Sequence, residues 1–472
     1  MTGQTKAEVY AAPGSAKPGK EIYGLHAGVL GSMETLAQSV SAMAPSTSPS
    51  LTIPLVFALA GNGTWFVYLL ATGATLLVGF CVSRFARLSA SPGSLYSYAS
   101  DTLPPAFGVV AAWGLLMAYV ATGASVAGGA LYYAGVLSQQ FLHWTPPSLV
   151  TLAVVCTAAG WIAYRDVKLS AELMLWIEVG SVSLILIVLA VLVFHYGFQF
   201  DVDQFKLKSV TVSALGPALV LAMFSFVGFE SATALGAEAR DPLKTIPRAV
   251  IQCAILAGFF FMLCAYSEVL GFRGESSKLS DSTSPLHLLA DKAGVSVLGV
   301  AIDFGAFVSM FACVLACTTA AARVLLRMAH SGLLPAALER TSKKHGTPGL
   351  AIALSAGTML LATWVLALRG VQGSDMYDWL GSLSVFGFLT AYALVAGALP
   401  FARRALGRHS HTVAGVSMLT VVVMILIVIF DLRSATDANH ARLPWIYLGY
   451  IAAGMGLYLA RRKAAVSEEV KK

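Results

Sequence analysis

Apolar residues fill the chain in long runs separated by short polar segments, and twelve of these runs are long enough to be helices that cross a bilayer. Their approximate cores are 33–60, 65–87, 106–137, 147–164, 170–196, 213–236, 247–272, 294–323, 348–368, 376–401, 411–432 and 443–460. Two of the twelve read as poor helices. In span 1, Pro45 and Pro49 lack an N–H and clash with the preceding turn. Ser46, Thr47 and Ser48 beside them hydrogen-bond locally and compete with the helix. In span 6, Gly228 weakens the helix, and Glu230 follows where an apolar residue is expected. Irregular backbone survives at membrane depth only where it is packed in protein or lines a wet cavity. The stretch from Val40 to Pro49 is therefore read as a small-ligand site.

Composition narrows the class. The 472-residue chain is 57% hydrophobic and 12% charged, which excludes an ordinary soluble protein. Its net charge of +7 does not point to nucleic acid, because the basic residues are scattered between apolar runs. With the N-terminus inside, 23 of the 31 lysines and arginines fall on the cytoplasmic side, among them Arg84, Arg87, Arg165, Arg240 and Arg323. The expectation is a multi-pass protein of the plasma (inner) membrane with both termini cytoplasmic and the lipid bilayer as its surroundings. Residues 1–24 are polar with no apolar core, and read as a cytoplasmic tail rather than a signal peptide. All six cysteines lie in apolar runs and read as packed thiols; Cys313 and Cys317, four apart, are a weak metal pattern. No HExxH, GxSxG or P-loop pattern occurs, so neither an enzyme nor an ATP-driven pump is expected, and no cofactor. Tyr96 and Tyr98, in the loop after span 2, read as interfacial anchors, and loop 273–293 as a lid or a connector.

Spans 1 and 6 each open a group of five, if spans 1–5 and 6–10 are two halves. A pair of Gly/Pro-interrupted segments at corresponding positions of two halves points to a transporter site near the bilayer midplane. The residues around span 6 carry more: Phe224, Gly228 and Glu230, then Glu238, Arg240, Pro242, Pro247 and Arg248. With them go Arg84 and Arg87 ahead of Pro92, Gly93, Tyr96 and Tyr98, and Arg323 ahead of Gly332 and Pro335. On these motifs, from about residue 25 to 460, the chain resembles the amino acid–polyamine–organocation permeases. The resemblance implies an all-α membrane fold with an inverted repeat of spans 1–5 and 6–10, discontinuous helices 1 and 6, two extra spans and alternating access. It divides the chain into a tail (1–24), a core (25–403, with repeats of about 25–196 and 213–403), two extra helices (404–460) and a second tail (461–472). It also implies a substrate held by the unwound parts of spans 1 and 6, here Ser41, Met43, Ala44, Ser46 and Thr47 with Phe224, Ser225, Phe226 and Gly228. Phe224 falls where relatives carry an aromatic that closes over the substrate, and Tyr119, Cys317 and Thr318 fall near the pocket wall. Two departures stand out. Many relatives have a Gly-Ser-Gly-like break where this chain reads Ala44, Pro45, Ser46, and some proton-coupled relatives carry a lysine near the place of Ser181.

The chemistry expected of the site follows from the break. Free N–H groups at a half-helix end favour a carboxylate. Ser46, Thr47 and Ser48 add hydroxyl donors, and the carbonyls of Ser41, Ala42 and Met43 accept from an ammonium. Three acids, Glu178, Glu230 and Asp303, are singled out inside spans as coupling or gating groups, because intramembrane carboxylates are costly and functional by default. Glu34 reads as interfacial. Lysines and arginines fall at span ends or in loops, which argues against a strongly anionic cargo. The expected function is secondary active transport of an amino acid, a neutral one first, by proton symport. A polyamine or other amine permease or exchanger, and a non-transporting membrane sensor on the same fold, are the alternatives. Sodium is the rival coupling ion, with span 1 carbonyls and the hydroxyls of Thr318 and Thr319 as its ligands.

Overall fold

The first apolar run forms not one helix but two. In a computed structural model, which describes residues 23–196, 201–207, 210–275, 278–402, 410–434 and 439–470, α1 (Ser32–Met43) stops at Ala44 and α2 (Ile53–Ala60) resumes after a π turn, Ser48–Thr52. A turn at Gly61–Gly63 reverses the chain into α3 (Thr64–Ala86). The short α4 (Ser94–Ser100) precedes α5 (Pro105–Leu142), α6 (Ser148–Arg165) and α7 (Val167–Tyr196). After a short turn of helix, α8 (Val202–Phe205), the sixth span begins as α9 (Val212–Phe224) and continues as irregular backbone into a 3-10 turn, Ser231–Leu235. Then follow α10 (Pro242–Gly271), α11 (Pro285–Lys292), α12 (Ser296–His330), α13 (Gly349–Leu368), α14 (Gly373–Ala398), α15 (Ser410–Ser434) and α16 (Leu443–Val470).

Among the described residues, ten helical stretches are long and apolar enough to cross a membrane. This count and the expected twelve spans differ at two places. Ser32–Ala86 counts as one stretch although the chain reverses within it, and the sixth span falls short because only Ser213–Phe224 is regular helix. At both, an irregular segment rather than a change of polarity alters the count.

The centre of the bundle is α5 packed along α14 and α12. Small residues allow it: Gly387 lies against the Gly114 carbonyl and Gly373 against that of Gly128, with no room for a Cβ at 387 or 373. Outward faces of α6, α7, α13, α15 and α16 carry exposed Trp161, Trp176, Leu361, Met418 and Trp445, the surface a lipid-facing helix presents. The two ends of the bundle are tied by different contacts. At the end where α1 begins, Leu30 N–H donates to the Glu238 carbonyl (3.1 Å) and Arg240 N–H to that of Leu30 (2.8 Å), a short parallel bridge. At the opposite end, Trp65 Nε1 donates to the Gln204 carbonyl (3.0 Å), Arg273 pairs with Asp201 (2.6 Å) and Tyr132 hydroxyl meets the Thr283 carbonyl (2.9 Å). In place of a free loop, residues 94–100 form α4, and its tyrosines are interior rather than interfacial. Tyr98 stacks on Phe85 at 5.3 Å, and Tyr96 bonds Ser331 at 2.6 Å.

Candidate functional site

The two interruptions meet. Ala44 ends α1 in the left-handed region (φ 46°), where a β-carbon is strained. Its N–H turns back to the Ser41 carbonyl (3.1 Å) and its own carbonyl accepts from Thr47 N–H (2.8 Å). Gly228 breaks the sixth span at φ 91° and lies against Ala42 so closely that a Cβ would meet the Ala42 carbonyl oxygen at 2.9 Å. Only glycine satisfies both demands. Cross-links hold the pair: Gln38 Nε2 donates to Ser231 Oγ (2.8 Å) and the Ala316 carbonyl (3.0 Å), Ala232 N–H donates to Ser39 Oγ (2.9 Å), and the Cys313 thiol donates to the Ala42 carbonyl (3.2 Å).

A small cavity opens between them. Span 1 contributes Ala42, Met43, Thr47 and Ser48; span 6 contributes Phe224, Ser225 and Val227. Thr122 and Val126 of α5, Cys313 of α12 and Tyr377 of α14 close the ring. The walls are apolar with hydroxyls set into them, and no charged side chain is among these lining residues. Thr47 and Thr122 hydroxyls are buried and have no hydrogen-bond partner among the described residues. Phe224 meets Tyr377 edge-on (5.3 Å), and the Tyr377 hydroxyl bonds Thr52 Oγ1 (2.7 Å), so this aromatic pair caps the cavity toward the α2 side. Ser225 Oγ bonds the Tyr68 hydroxyl (3.0 Å).

Of the residues expected to hold substrate, Met43, Thr47, Phe224 and Ser225 line the cavity. The others stand behind it. Gly228 and Ala44 shape the breaks. Ser41 Oγ reaches the Met174 carbonyl (3.5 Å), Ser46 carbonyl accepts from Ser50 Oγ (2.7 Å), and Phe226 packs against Phe261 (5.2 Å). Tyr119 is turned to Glu230, and Cys317 lies beside Cys313 (3.9 Å). Thr318 bonds the Val314 carbonyl of its own helix (2.7 Å), whereas the buried Thr319 hydroxyl has no partner among the described residues. Thr122, Val126 and Tyr377 carried no expectation. Thr122 lies among Gly123, Ala124 and Ser125 in an unbroken apolar span, a run of small residues that by itself reads as helix packing.

The acids separate. Glu230, fully buried, accepts from Tyr119 hydroxyl at 3.0 Å and Tyr392 hydroxyl at 2.7 Å, one on each oxygen. Glu178 takes the Ser309 hydroxyl between its oxygens, 3.0 Å from each. Asp303 faces His287 of α11 at 2.5 Å, far along α12 from the break. Arg323, expected at a span end, is buried instead and held by both oxygens of Glu238 (2.6 and 2.7 Å). Glu268, inside the seventh span, drew no expectation and is fully buried.

Two interrupted helices whose breaks pack on each other beside a small cavity in a bundle of apolar helices define a membrane transporter of the discontinuous-helix kind. The amino acid permease family pattern matches residues 42–434, and the chain belongs to that family. It is 24% identical over 369 residues to the branched-chain amino acid permease BcaP of Bacillus subtilis, covering 73% of this chain and 74% of that one. It is 28% identical over 328 residues to the low-affinity putrescine importer PlaP of Escherichia coli K12, covering 66% and 69%. Among solved structures, MhsT in complex with L-phenylalanine superposes with a TM-score of 0.55 at 16% identity, over 84% of this chain and 98% of that one. That likeness concerns the fold: an inverted repeat of spans 1–5 and 6–10 with discontinuous helices 1 and 6.

Proposed function

We propose that the protein imports neutral amino acids with apolar side chains by alternating access, driven by protons. The observation that carries this reading is the cavity lining: apolar walls, hydroxyls on two sides and no charged side chain. Pro45 and Pro49 bring no N–H to the break, and Thr47 N–H is committed to Ala44. The substrate carboxylate is then met by the hydroxyls of Thr47, Ser48 and Thr122 rather than by a row of amides. Carbonyls at the end of α1 take the ammonium, and Met43, Val126 and the Phe224–Tyr377 pair enclose the side chain. A diamine would need a carboxylate aimed at the cavity, and both oxygens of Glu230 are already taken by tyrosines. The branched-chain specificity named for BcaP agrees with this lining better than the putrescine named for PlaP. Glu230 acts as a gate: it fastens the sixth-span break to α5 through Tyr119 and to α14 through Tyr392. Sodium is disfavoured as the driving ion because one of its expected span 1 carbonyls, that of Ala42, is met by the Cys313 thiol, although the Thr319 hydroxyl stays open to a cation.

The test is uptake of radiolabelled L-leucine into proteoliposomes without ATP, with putrescine as comparator. Accumulation of L-leucine that unlabelled L-isoleucine competes away is the expected result. Transport of putrescine in preference to L-leucine, or of neither, overturns the assignment.

A further inference from the structure

Each carboxylate inside the bundle can be judged by what meets its oxygens. Glu230 has two tyrosines, Glu178 a serine, Glu238 an arginine and Asp303 a histidine. Glu268 on α10 is the exception: its side chain is fully buried, and among the described residues no donor reaches Oε1 or Oε2. A buried ionised carboxylate without a partner costs several kcal/mol. A carboxyl group is stable at such a place when it carries a proton or faces a cation. Lys292, whose ammonium caps the Gly271 carbonyl at the end of the same helix (2.8 Å), is paired with Glu275 (2.8 Å). The titratable groups within electrostatic reach of Glu268 are Tyr68 of α3, Tyr133 of α5 and Cys264, one turn earlier on α10.

Those two tyrosines connect Glu268 to both breaks. Tyr68 hydroxyl bonds Ser225, which lines the cavity from the sixth span. Tyr133 hydroxyl donates to the Ser50 carbonyl (3.4 Å) in the π turn that begins at Ser48, a lining residue of the first span. We propose that Glu268 is the group that binds and releases the proton that drives uptake. The step is a protonation: a proton from water on the outer side forms an O–H bond with the carboxylate, and the same bond breaks to return the proton to water on the inner side. The Tyr68–Ser225 hydroxyl pair can orient either way: an ionised Glu268 favours the Tyr68 hydrogen turned toward itself, and a protonated Glu268 leaves the pair free of that pull. The charge state of one side chain is thus felt at the cavity wall without Glu268 touching the substrate. This assignment rests on the proton-driven reading above.

Proteoliposomes with the full chain separate the two ideas. An inward gradient of one pH unit supports up to about tenfold accumulation of L-leucine at one proton per substrate. Wild type is expected to show most of that gain. Glu268→Gln is expected to lose it while still exchanging internal for external L-leucine, because counterflow moves no net proton. A Glu268→Gln protein with the wild-type gain overturns the assignment and leaves proton drive standing; a wild type without any gain removes both. If Glu268→Gln does not fold, Glu268→Asp keeps a titratable oxygen and is expected to shift the pH midpoint of uptake. An unshifted midpoint overturns the assignment.

Discussion

Two threonine hydroxyls, Thr47 and Thr122, are buried at the cavity with no hydrogen-bond partner among the described residues. Leaving such a group unmet costs about 1–3 kcal/mol, whereas an apolar isostere removes the cost. If the hydroxyl is there for a ligand, stability and affinity must move in opposite directions. Thr122→Val is therefore expected to keep or raise the melting temperature of the empty protein while weakening L-leucine binding by about tenfold, the equivalent of one lost bond to a charged group. Differential scanning fluorimetry and a binding titration check both; an unchanged Kd returns Thr122 to a packing role. Thr47 was legible in the sequence because it sits between two prolines. Thr122 was not, because it lies in an unbroken helix whose periodicity describes packing alone. Glu230 and Glu268 make the same point: proximity to a visible break drew attention to the first, and only the inventory of donors distinguishes the second.

Helix ends were harder to read than helix breaks. The eighth span was expected to stop at 323, yet α12 runs on to His330 because Arg323 has a carboxylate to enter the bundle with. The charge alone marks a span end; its partner, 85 positions away, is invisible until the chain folds. Removing one member of such a buried pair costs about 3–5 kcal/mol, whereas replacing both with apolar residues is often neutral. Arg323→Met is expected to lower thermal stability sharply, and Arg323→Met with Glu238→Leu to recover most of the loss. Thermal unfolding in detergent measures both, and a double variant no better than the single one would show that the pair is not the relevant unit. The same reasoning applies to α4, whose tyrosines looked like membrane anchors and instead fill the interior, because Phe85 and Ser331 are brought to them by helices distant in sequence.

At the scale of the molecule, hydropathy and the two interruptions were enough to anticipate a membrane bundle with two groups of five spans, and the inverted repeat came from the family resemblance, since no residue-level repeat joins the halves. The resemblance placed spans 3 and 8 near the pocket wall, but through Tyr119, Cys317 and Thr318; α5, α12 and α14 reach the cavity through Thr122, Val126, Cys313 and Tyr377, by packing that small residues permit but do not announce. The contacts Leu30–Glu238, Tyr96–Ser331 and Arg327–Asp101 gather basic segments of the chain at one end of the bundle. That end is expected to face the cytoplasm. A protease-cleavable tag placed before Met1 should be cut in inverted vesicles and spared in intact cells; cleavage from outside would reverse the assignment. The placement of the two tyrosines on Glu230 has a consequence for how the protein is made. Tyr119 is synthesised before Glu230, but Tyr392 follows long after it. A growing chain thus delivers this carboxylate to the membrane half-satisfied and must carry it, sheltered by water or by the insertion machinery, until the tenth span arrives. A chain cut short before that point lacks the tyrosine that meets one of those oxygens at membrane depth, where lipid has no donor to lend.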